Sequence, residues 1–552
     1  MPSEPVPVLN PILPGSHPDP CVLRVGGDFY LATSTFEWYP GVRLHHSTDL
    51  ARWRPLGGAL PGPPWLDLAG RPDSGGVWAP DLSHADGLFH LVYSNVTSYA
   101  GGFTDSPNLL VTAPTIHGPW SDPVPLHARG FDAALLHDGD ESWLVSLAHD
   151  WRPGHGGSSG LEAVRYDRRA RTLVGAPVRI SLPEGEGWVE GPRIRRIGSW
   201  YYLLTADGGT GYEHRVTAAR SRNLSGPYER DPGGPLITSR DRPDLPLQKA
   251  GHGCLVDTPG GETYLAYLVA RPLGRRGPCV LGRETALAPV TWTPQGWPRV
   301  PGGRPEPRIP APVVPGAAGA GGGGDPAPDV HGEGTDHFDG AVLGPHWSTL
   351  RRPATRDWVT TAARRSHLRV RGGRSPQSLV DTSLVARRVS SPHCSFETTV
   401  EYRPSDTRHL AGLTAYYNTR NWFFAYRSTD DAGRQVLGVA ACDRGRVTLE
   451  GTEVLAPGTG GRTRLGVDVD GPRLRFRRDV GGGWDPLGPW LDATVLSDEH
   501  AEEIEDGGLR TMGFTGAFVG LWVWDLGGQG LHADFDEATY RLRPPARPDG
   551  GR

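Results

Sequence analysis

The sequence predicts an all-β protein, with a five-bladed β-propeller followed by an antiparallel β-sandwich. Three observations support this fold class. Glycine (77) and proline (54) are abundant among the 552 residues, which favours turns over long helices. Short strand-like segments recur at a regular interval in the first part of the chain. Beyond a Gly/Pro-rich stretch, alternating strands resume at closer spacing. The length also exceeds what one hydrophobic core usually organises.

The repeat in the first part of the chain defines the propeller. Each copy starts with a turn followed by a strand, and the starts lie 54 to 63 residues apart, at Phe29, Phe89, Trp143, Trp200 and Thr263. A second strand-like segment follows each of them. A repeat of this length that contains several short strands is typical of propeller blades. The alternative is a large sandwich with coincidental spacing. We assign residues 1–301 to the propeller.

Residues 302–335 are rich in Gly, Pro and Ala and predict a flexible linker, because such a composition buries little apolar area. The alternating strands of residues 336–545 then predict an antiparallel sandwich domain, which we expect to be concanavalin-like. The run of glycines at 316–324 is expected to loosen the docking of the two domains.

Composition excludes several function classes. The net charge of -5 gives no reason to expect nucleic acid or a membrane surface as partner. No apolar run reaches the ~18 residues of a membrane helix. The N-terminus shows no signal peptide, so we expect a cytoplasmic protein. The five cysteines form no CxxC pair, and buried free thiols are the expected state.

One position of the repeat carries chemically active side chains. Ten or eleven residues before each repeat start stand Asp19, Trp78, Asp132, Glu190 and His252. The first strand of each propeller blade lines the central channel. Residues at one phase of five blades should therefore converge at one end of that channel.

Two carboxyl groups in a water-filled pocket suffice for glycoside hydrolysis, which needs one proton donor and one ionised group. Glu190 lies beside Trp188 and Val189, and desolvation there would suit it to general-acid work. Asp19 stands between two prolines that fix its backbone, which suits a general base that activates water. Asp132 is a third acid that could tune Glu190 and orient the substrate. For each acid alone, a turn or capping role is the alternative.

Other residues could complete a sugar site. Trp78 and Phe36 could stack on a sugar ring, although single aromatic residues are more often part of a core. Arg283 could bond a sugar hydroxyl or a catalytic carboxylate, or be a solvated arginine. His252 could hold water or bind a central cation through one ring nitrogen.

The motifs together resemble a known family. NPILPGSHPDPCVLRVGGDFYLATSTFEWYPGVRLHHSTDL resembles the opening of glycoside hydrolase family 43 β-xylosidases. WAPDL, GFDAALLHD, VEGPRI, LTADGGTGYEH, PLQKAGHG and LGRETAL continue the resemblance in order. In the second domain, AGLTAYYNTRNWFF and GFTGAFVGLWVWDL resemble the C-terminal β-sandwich of the same subgroup. The resemblance covers nearly the whole chain apart from the linker.

The resemblance implies an inverting mechanism with Asp19 as base, Asp132 as pKa modulator and Glu190 as acid. The carboxyl groups of base and acid should then stand ~6.5–9.5 Å apart, with room for water between them. It also implies a sugar subsite and an aromatic closure contributed by the sandwich. The subsite residues are Phe36, Trp78, Thr210, His252 and Arg283, and the closing residue is Phe514 or Phe518.

The resemblance also leaves expectations about cations, assembly and variation. Some members bind Ca²⁺ in the channel near the histidine, so a calcium ion at His252 is an expectation, while the chemistry itself requires no cofactor. Related proteins are often homodimers or homotetramers. Ser16 stands where the family usually has an aromatic residue and Cys21 where it usually has serine, so the rim near Asp19 is expected to differ.

The leading hypothesis is an exo-acting β-xylosidase that releases xylose from the non-reducing end of β-1,4-xylo-oligosaccharides with inversion. An α-L-arabinofuranosidase or a dual-activity enzyme acting on an arabinosyl substrate is the nearest alternative. An endo-arabinanase would need an open groove, which the closing phenylalanine disfavours. A non-catalytic carbohydrate-binding protein is the alternative from another class.

Overall fold

The computed structural model describes residues 7–100, 103–152, 155, 157–182, 189–314, 330–456, 460–479, 481–505 and 508–545. Nearly all regular structure there is β, as predicted. The helical segments of this part are two 3-10 turns, Pro301–Gly303 and Ala493–Leu496, and one α-helical turn, Asp498–Ala501. Within the described ranges, no helix is long and apolar enough to cross a membrane.

Five antiparallel sheets form the propeller. After β1 (Val8–Leu9), blade 1 contains β2 (Cys21–Val25), β3 (Asp28–Thr33), β5 (Gly41–Ser47) and β6 (Arg54–Leu60), with β4 (Trp38–Tyr39) set apart. Blade 2 contains β7 (Gly76–Val77), β8 (Asp81–Ala85), β9 (Leu88–Val96), β10 (Asn108–Ala113) and β11 (Val124–His127). Blade 3 contains β12 (Ala134–Asp138), β13 (Glu141–Asp150), β14 (Gly157–Asp167) and β15 (Thr172–Arg179).

The last two blades repeat this pattern. Blade 4 contains β16 (Val189–Ile197), β17 (Trp200–Asp207), β18 (Arg215–Ser221), β19 (Glu229–Arg230) and β20 (Ile237–Thr238). Blade 5 contains β21 (Gln248–Asp257), β22 (Thr263–Ala270), β23 (Glu284–Trp292) and β24 (Pro298–Arg299). The inner strands β2, β8, β12, β16 and β21 contact one another in order, and β21 contacts β2 again, which closes the ring.

The chain before and after the propeller is joined by a short sheet. β1 pairs antiparallel with β25 (Arg308–Ile309), and Ile309 is buried with Val8 and Trp53 in one apolar cluster. The predicted linker at 302–335 is therefore too broad, because the strand at 308–309 gains backbone hydrogen bonds and apolar burial. Residues 315–329, which include the run of glycines, lie outside the described residues.

The second domain is a sandwich of two eight-stranded sheets, one of which includes β4 of the propeller. Its first strands are β26 (Gly334–Asp336), β27 (Ser348–Leu350), β28 (Val359–Thr360), β29 (Leu368–Arg371), β30 (Leu384–Arg388), β31 (His393–Glu401), β32 (His409–Asn418) and β33 (Asn421–Thr429). The next are β34 (Gln435–Asp443), β35 (Arg446–Val454), β36 (Arg462–Asp470), β37 (Arg473–Asp479) and β38 (Trp484–Asp492). The last are β39 (Glu503–Glu505) and β40 (Gly508–Thr511), which pair in a separate two-stranded sheet, and β41 (Phe518–Asp525) and β42 (His532–Leu542).

Alternation along β41 shows how the sandwich is packed. Leu521 and Val523 point into the core between the two sheets, whereas Trp522 and Trp524 lie in a second aromatic cluster on the opposite face. That second cluster also contains Trp38 of the propeller. The five cysteines are buried and unbridged, as predicted.

The two domains share a sheet and a buried ion pair. β4 of the propeller pairs with β27 and becomes the edge strand of a sandwich sheet. Arg351 of the sandwich lies 2.7 Å from Asp73 of the propeller, and the hydroxyl of Thr419 donates to the same carboxylate at 2.5 Å. Removing one partner of such a buried pair typically costs about 3–5 kcal/mol. The sandwich is therefore held in a defined position over the propeller.

Candidate active site

A cavity of about 280 Å³ gathers all five residues of the shared repeat position: Asp19, Trp78, Asp132, Glu190 and His252. The same cavity is lined by the predicted Phe36, Thr210, Arg283 and Phe514. It also contains residues that the sequence analysis did not single out: Ala79, Thr104, Phe131, Gly209, His214 and Met512. The repeat phase thus brings one side chain from each blade to one place.

Backbone conformation explains how the inner strands aim these side chains. Asp19 and Asp132 each lie two residues before an inner strand and have φ of +58° and +55°. His252 has φ of +40° at a register shift within β21. Non-glycine residues seldom adopt this left-handed region, and such strain concentrates at functional sites. The turn at each strand start directs the side chain toward the cavity.

Asp19 is buried and surrounded by donors. The Ser34 hydroxyl donates to its Oδ2 at 2.7 Å, while His252 Nδ1 and Arg283 Nη1 lie 3.3 Å and 3.5 Å from Oδ1. Burial alone would raise the pKa of Asp19, but the Arg283 charge, the His252 contact and the Ser34 hydrogen bond together hold that pKa well below its ordinary value. Asp19 is therefore ionised at neutral pH.

Asp132 connects blade 3 to the residue that follows Glu190. Its Oδ2 accepts a hydrogen bond of 3.0 Å from the backbone N–H of Gly191. Burial raises the pKa of Asp132, and the negative charge of Asp19 adds to this shift, while His252 opposes it. The two aspartates therefore have opposite pKa shifts within one cavity, which is the pattern of groups with different acid–base roles.

Glu190 is the second residue of β16, opposite Ala206, and a register shift follows it before Arg193. Its side chain is half-buried at the cavity wall. Trp188, which was expected to desolvate it, lies outside the described residues, so that part of the expectation stays a prediction.

The pKa values of two histidines in the cavity are shifted in opposite directions. Burial would lower the pKa of His252, but contact with Asp19 and the charges of Asp19 and Asp132 raise it. His214 Nδ1–H donates a hydrogen bond of 3.1 Å to the carbonyl of Lys249. Burial and the neighbouring charge of His252 lower the pKa of His214 to about 3, so it is neutral. The sequence signal for His214 was the quoted LTADGGTGYEH motif, but the residue lies off the repeat phase.

The residues offer little to a calcium ion. His252 Nε2 is buried without a hydrogen-bond partner in the described structure, which leaves room for one bond. Calcium prefers six to eight oxygen ligands. Among the described residues, no group of three His, Cys, Asp or Glu side chains is arranged to hold a metal. These residues do not fit a protein-coordinated Ca²⁺, and a cation at His252 stays a prediction on which no step below depends.

Aromatic side chains form the apolar wall of the cavity. Trp78 packs edge-on against Phe131 at 5.1 Å and against Phe514 at 6.0 Å between ring centroids, and Phe36 lies 5.9 Å from Phe514. The guanidinium carbon of Arg283 lies 4.4 Å from the centre of the Phe514 ring. Such rings offer flat faces to the C–H groups of a sugar.

The structure distinguishes the two phenylalanines proposed to close the cavity. Phe514 lies in the loop between β40 and β41 and lines the cavity. Phe518 does not, because it is 1% exposed and stacks on Trp38 at 4.0 Å within the sandwich cluster. Ser74 of the propeller fixes the Phe514 loop, since its hydroxyl donates to the Met512 carbonyl at 2.8 Å and accepts from the Phe514 N–H at 3.2 Å.

A propeller cavity that gathers three carboxyl groups, two histidines and an aromatic wall has the composition of a glycoside hydrolase site. Comparison with known families agrees with this class. The model for glycosyl hydrolases family 43 matches residues 8–298. The model for the beta xylosidase C-terminal Concanavalin A-like domain matches residues 335–541. The chain belongs to glycoside hydrolase family 43.

Similar proteins match over their whole length. The chain is 41% identical to Xylosidase/arabinosidase 43B of Humicola insolens, over 97% of both chains. It is 37% identical to a beta-xylosidase of Bacillus subtilis, over 97% of this chain and 99% of that protein. The crystal structure of a xylan beta-1,4-xylosidase from Bacillus halodurans superposes with a TM-score of 0.90 at 41% identity, covering 97% of this chain and 100% of that one.

Proposed function

We propose that this protein is an exo-acting β-xylosidase that removes xylose from the non-reducing end of β-1,4-xylo-oligosaccharides with inversion at the anomeric carbon. The observation that carries the proposal is the state of Asp19. Its carboxylate is buried yet kept ionised by Arg283, His252 and Ser34, next to a cavity that also contains Glu190. A buried carboxylate held ready to accept a proton is what an inverting base requires.

In this mechanism Asp19 takes a proton from a water molecule as the water oxygen attacks the anomeric carbon. Glu190 donates its proton to the glycosidic oxygen, so the bond between the anomeric carbon and that oxygen breaks and the shortened chain leaves as an alcohol. Asp132 acts through the Gly191 N–H, which positions the segment that carries Glu190. Arg283 balances the negative charge of Asp19 before the proton arrives.

The exo mode follows from the closure of the cavity. Phe514 and Met512 come from the sandwich and cover a site whose other walls belong to the propeller. A chain end can enter such a cavity, whereas the middle of a polysaccharide needs an open groove. An α-L-arabinofuranosidase activity is the second candidate, supported by the relative from Humicola insolens, whose name pairs xylosidase with arabinosidase.

The test compares p-nitrophenyl β-D-xylopyranoside with p-nitrophenyl α-L-arabinofuranoside, using wild type and Glu190→Ala. We expect wild type to cleave the xyloside faster and the variant to lose activity on both. NMR of xylobiose hydrolysis should show α-xylose first. Initial β-xylose would contradict inversion, and equal rates for wild type and variant would contradict the enzyme assignment.

A further inference from the structure

A second cavity lies between the propeller and the sandwich, away from the sugar site. It has a volume of about 30 Å³, where about 10–15 Å³ is enough for one water molecule, so a small ion fits but a sugar does not. Blade 1 contributes Arg43 and His45 from β5, and the segment before β2 contributes His17. The sandwich contributes His346 and, from β30, Arg388.

The side chains around this cavity carry one sign of charge. All of its lining residues belong to the described ranges, and none of them is Asp or Glu. In the part of the chain that the structure describes, no carboxylate forms an ion pair with Arg43 or Arg388, and no acidic side chain is among their main electrostatic neighbours. By contrast, the buried Arg351 pairs with Asp73 at 2.7 Å, and Arg193 pairs with Asp81. An uncompensated buried charge is costly, so a counter-ion is expected.

The polar atoms of the cavity are also incompletely bonded. Arg43 is 3% exposed. Among the described residues, its terminal nitrogens donate to neutral groups, which are the carbonyls of Pro345 and Trp347 and the Ser348 hydroxyl. Its Nε, the Nε of Arg388 and the Nδ1 atoms of two histidines are buried without a hydrogen-bond partner in the described structure. The two histidines are His17 and His45, whose rings lie 5.0 Å apart.

Two histidines of the cavity, His45 and His346, have positively charged arginines as electrostatic neighbours. Burial, followed by the charges of Arg43 and Arg388, lowers the pKa of His45 to about 3. Burial and the charges of Arg387 and Arg43 likewise lower the pKa of His346 to about 3. Both imidazoles are therefore neutral, and each can donate one N–H to an acceptor while the arginines supply the positive charge.

We propose that this cavity binds one small inorganic oxyanion of the phosphate or sulfate type, which bridges the propeller and the sandwich. Planar guanidinium groups match the geometry of such oxygens, and two arginines that line one cavity favour a multiply charged ion over chloride. The site adjoins the catalytic segment, because His17 precedes Asp19 by two residues. The backbone N–H of His17 donates a hydrogen bond of 2.9 Å to the carbonyl of Arg283. A bound anion would therefore stabilise both the contact between the two domains and the segment that carries Asp19.

The first test is titration calorimetry of inorganic phosphate into the full-length protein at constant ionic strength. We expect saturable binding with one site, competed by sulfate and not by chloride. Arg388→Met should weaken phosphate binding about tenfold or more, because it removes one charge and keeps an apolar stem near Phe518. Arg371→Met, at an exposed arginine on β29, should bind phosphate as wild type does.

Two outcomes would overturn the site: no saturable binding by wild type, or wild-type affinity in Arg388→Met. Competition by chloride as strong as that by sulfate would overturn the oxyanion assignment.

A second measurement does not depend on the variant folding. Wild-type crystals soaked in selenate should show an anomalous peak between Arg43 and Arg388. Selenate peaks found only elsewhere on the molecule would overturn the proposal.

Discussion

The backbone N–H of Gly191 donates a hydrogen bond of 3.0 Å to Asp132 Oδ2, and so joins an acid of blade 3 to the chain just after Glu190 in blade 4. Gly191 also lies against His252, because a Cβ at this position would come within 2.9 Å of His252 Nε2. One dipeptide, Glu190–Gly191, therefore meets side chains from two other blades. Positioning of the proton donor should depend on these two contacts.

The first prediction separates the hydrogen bond of Asp132 from its charge. Asp132→Asn keeps an oxygen that accepts from the Gly191 N–H, whereas Asp132→Ala leaves that buried N–H without an acceptor, at a cost of about 1–3 kcal/mol. We expect both variants to lower kcat/KM, and Ala to fall at least about tenfold below Asn. Steady-state kinetics with thermal unfolding of each variant checks this. Equal losses in the two variants would show that the charge matters and the hydrogen bond does not.

The second prediction uses two glycines with nearly the same positive φ. Gly191 and Gly198 have φ of +59° and +61°, so alanine should cost each about 1–2 kcal/mol in backbone strain. A Cβ at Gly198 meets nothing within 4 Å, whereas at Gly191 it presses on the His252 ring. Gly198→Ala should lower stability and leave kcat/KM unchanged, and Gly191→Ala should also lower kcat/KM at least about tenfold. Equal kcat/KM values for the two variants would contradict the claim that contact between Gly191 and His252 helps to position Glu190.

The third prediction concerns pH. Asp19 must be ionised to act as base, and its lowered pKa keeps it ionised as the pH falls through the ordinary value of 3.8. The acid limb of kcat/KM due to Asp19 should therefore lie below that value. Ser34→Ala removes a hydrogen bond to the carboxylate, raises the pKa of Asp19 and should move this limb upward by about one pH unit. Activity at neutral pH should change little, because Asp19 is still ionised there.

The matched control for this pH shift is Ser142→Ala. Ser142 is equally buried and its hydroxyl bonds to His137 at 2.7 Å in blade 3. Its pH profile should follow that of wild type. A shift of the same size in both variants would mean that the loss of a buried hydroxyl, and not the Asp19 contact, moves the limb.

The repeat phase alone predicted five lining residues of the cavity, and the family resemblance added Phe36, Thr210, Arg283 and Phe514. Asp19, Asp132, Glu190 and His252 reach one cavity because a propeller places equivalent positions of its blades around one channel. His214 could not be found in this way, since it follows a long turn at the far end of the blade's second strand and enters the cavity from the side.

The repeat pattern could not predict features that depend on how the two domains dock. Met512 lines the cavity on a loop that Ser74 anchors from the propeller, and β4 joins a sandwich sheet across the domain boundary. The strand at 308–309 was missed because its composition resembles that of a linker, while its pairing partner, β1, lies at the other end of the propeller sequence. Long-range pairing of two-residue strands leaves no periodic signal.

The last prediction tests the closure by the sandwich with two phenylalanines four residues apart. Phe514→Ala removes an apolar wall that faces the sugar, beside Arg283 at 4.4 Å, and should lower kcat/KM about 10- to 100-fold, mainly through KM. Stability should change modestly, because the Phe514 side chain is only half-buried in the free enzyme. Kinetics on xylobiose and thermal unfolding measure the two effects separately.

Phe518→Ala should behave in the opposite way. Its ring is 1% exposed and stacked on Trp38, so truncation should lower the free energy of unfolding by about 3–5 kcal/mol. Because Phe518 does not line the cavity, kcat/KM per folded molecule should stay near wild type. If Phe514→Ala instead left KM unchanged while Phe518→Ala raised it, the sandwich would influence the sugar site through its core, and direct closure by the Phe514 loop would be contradicted.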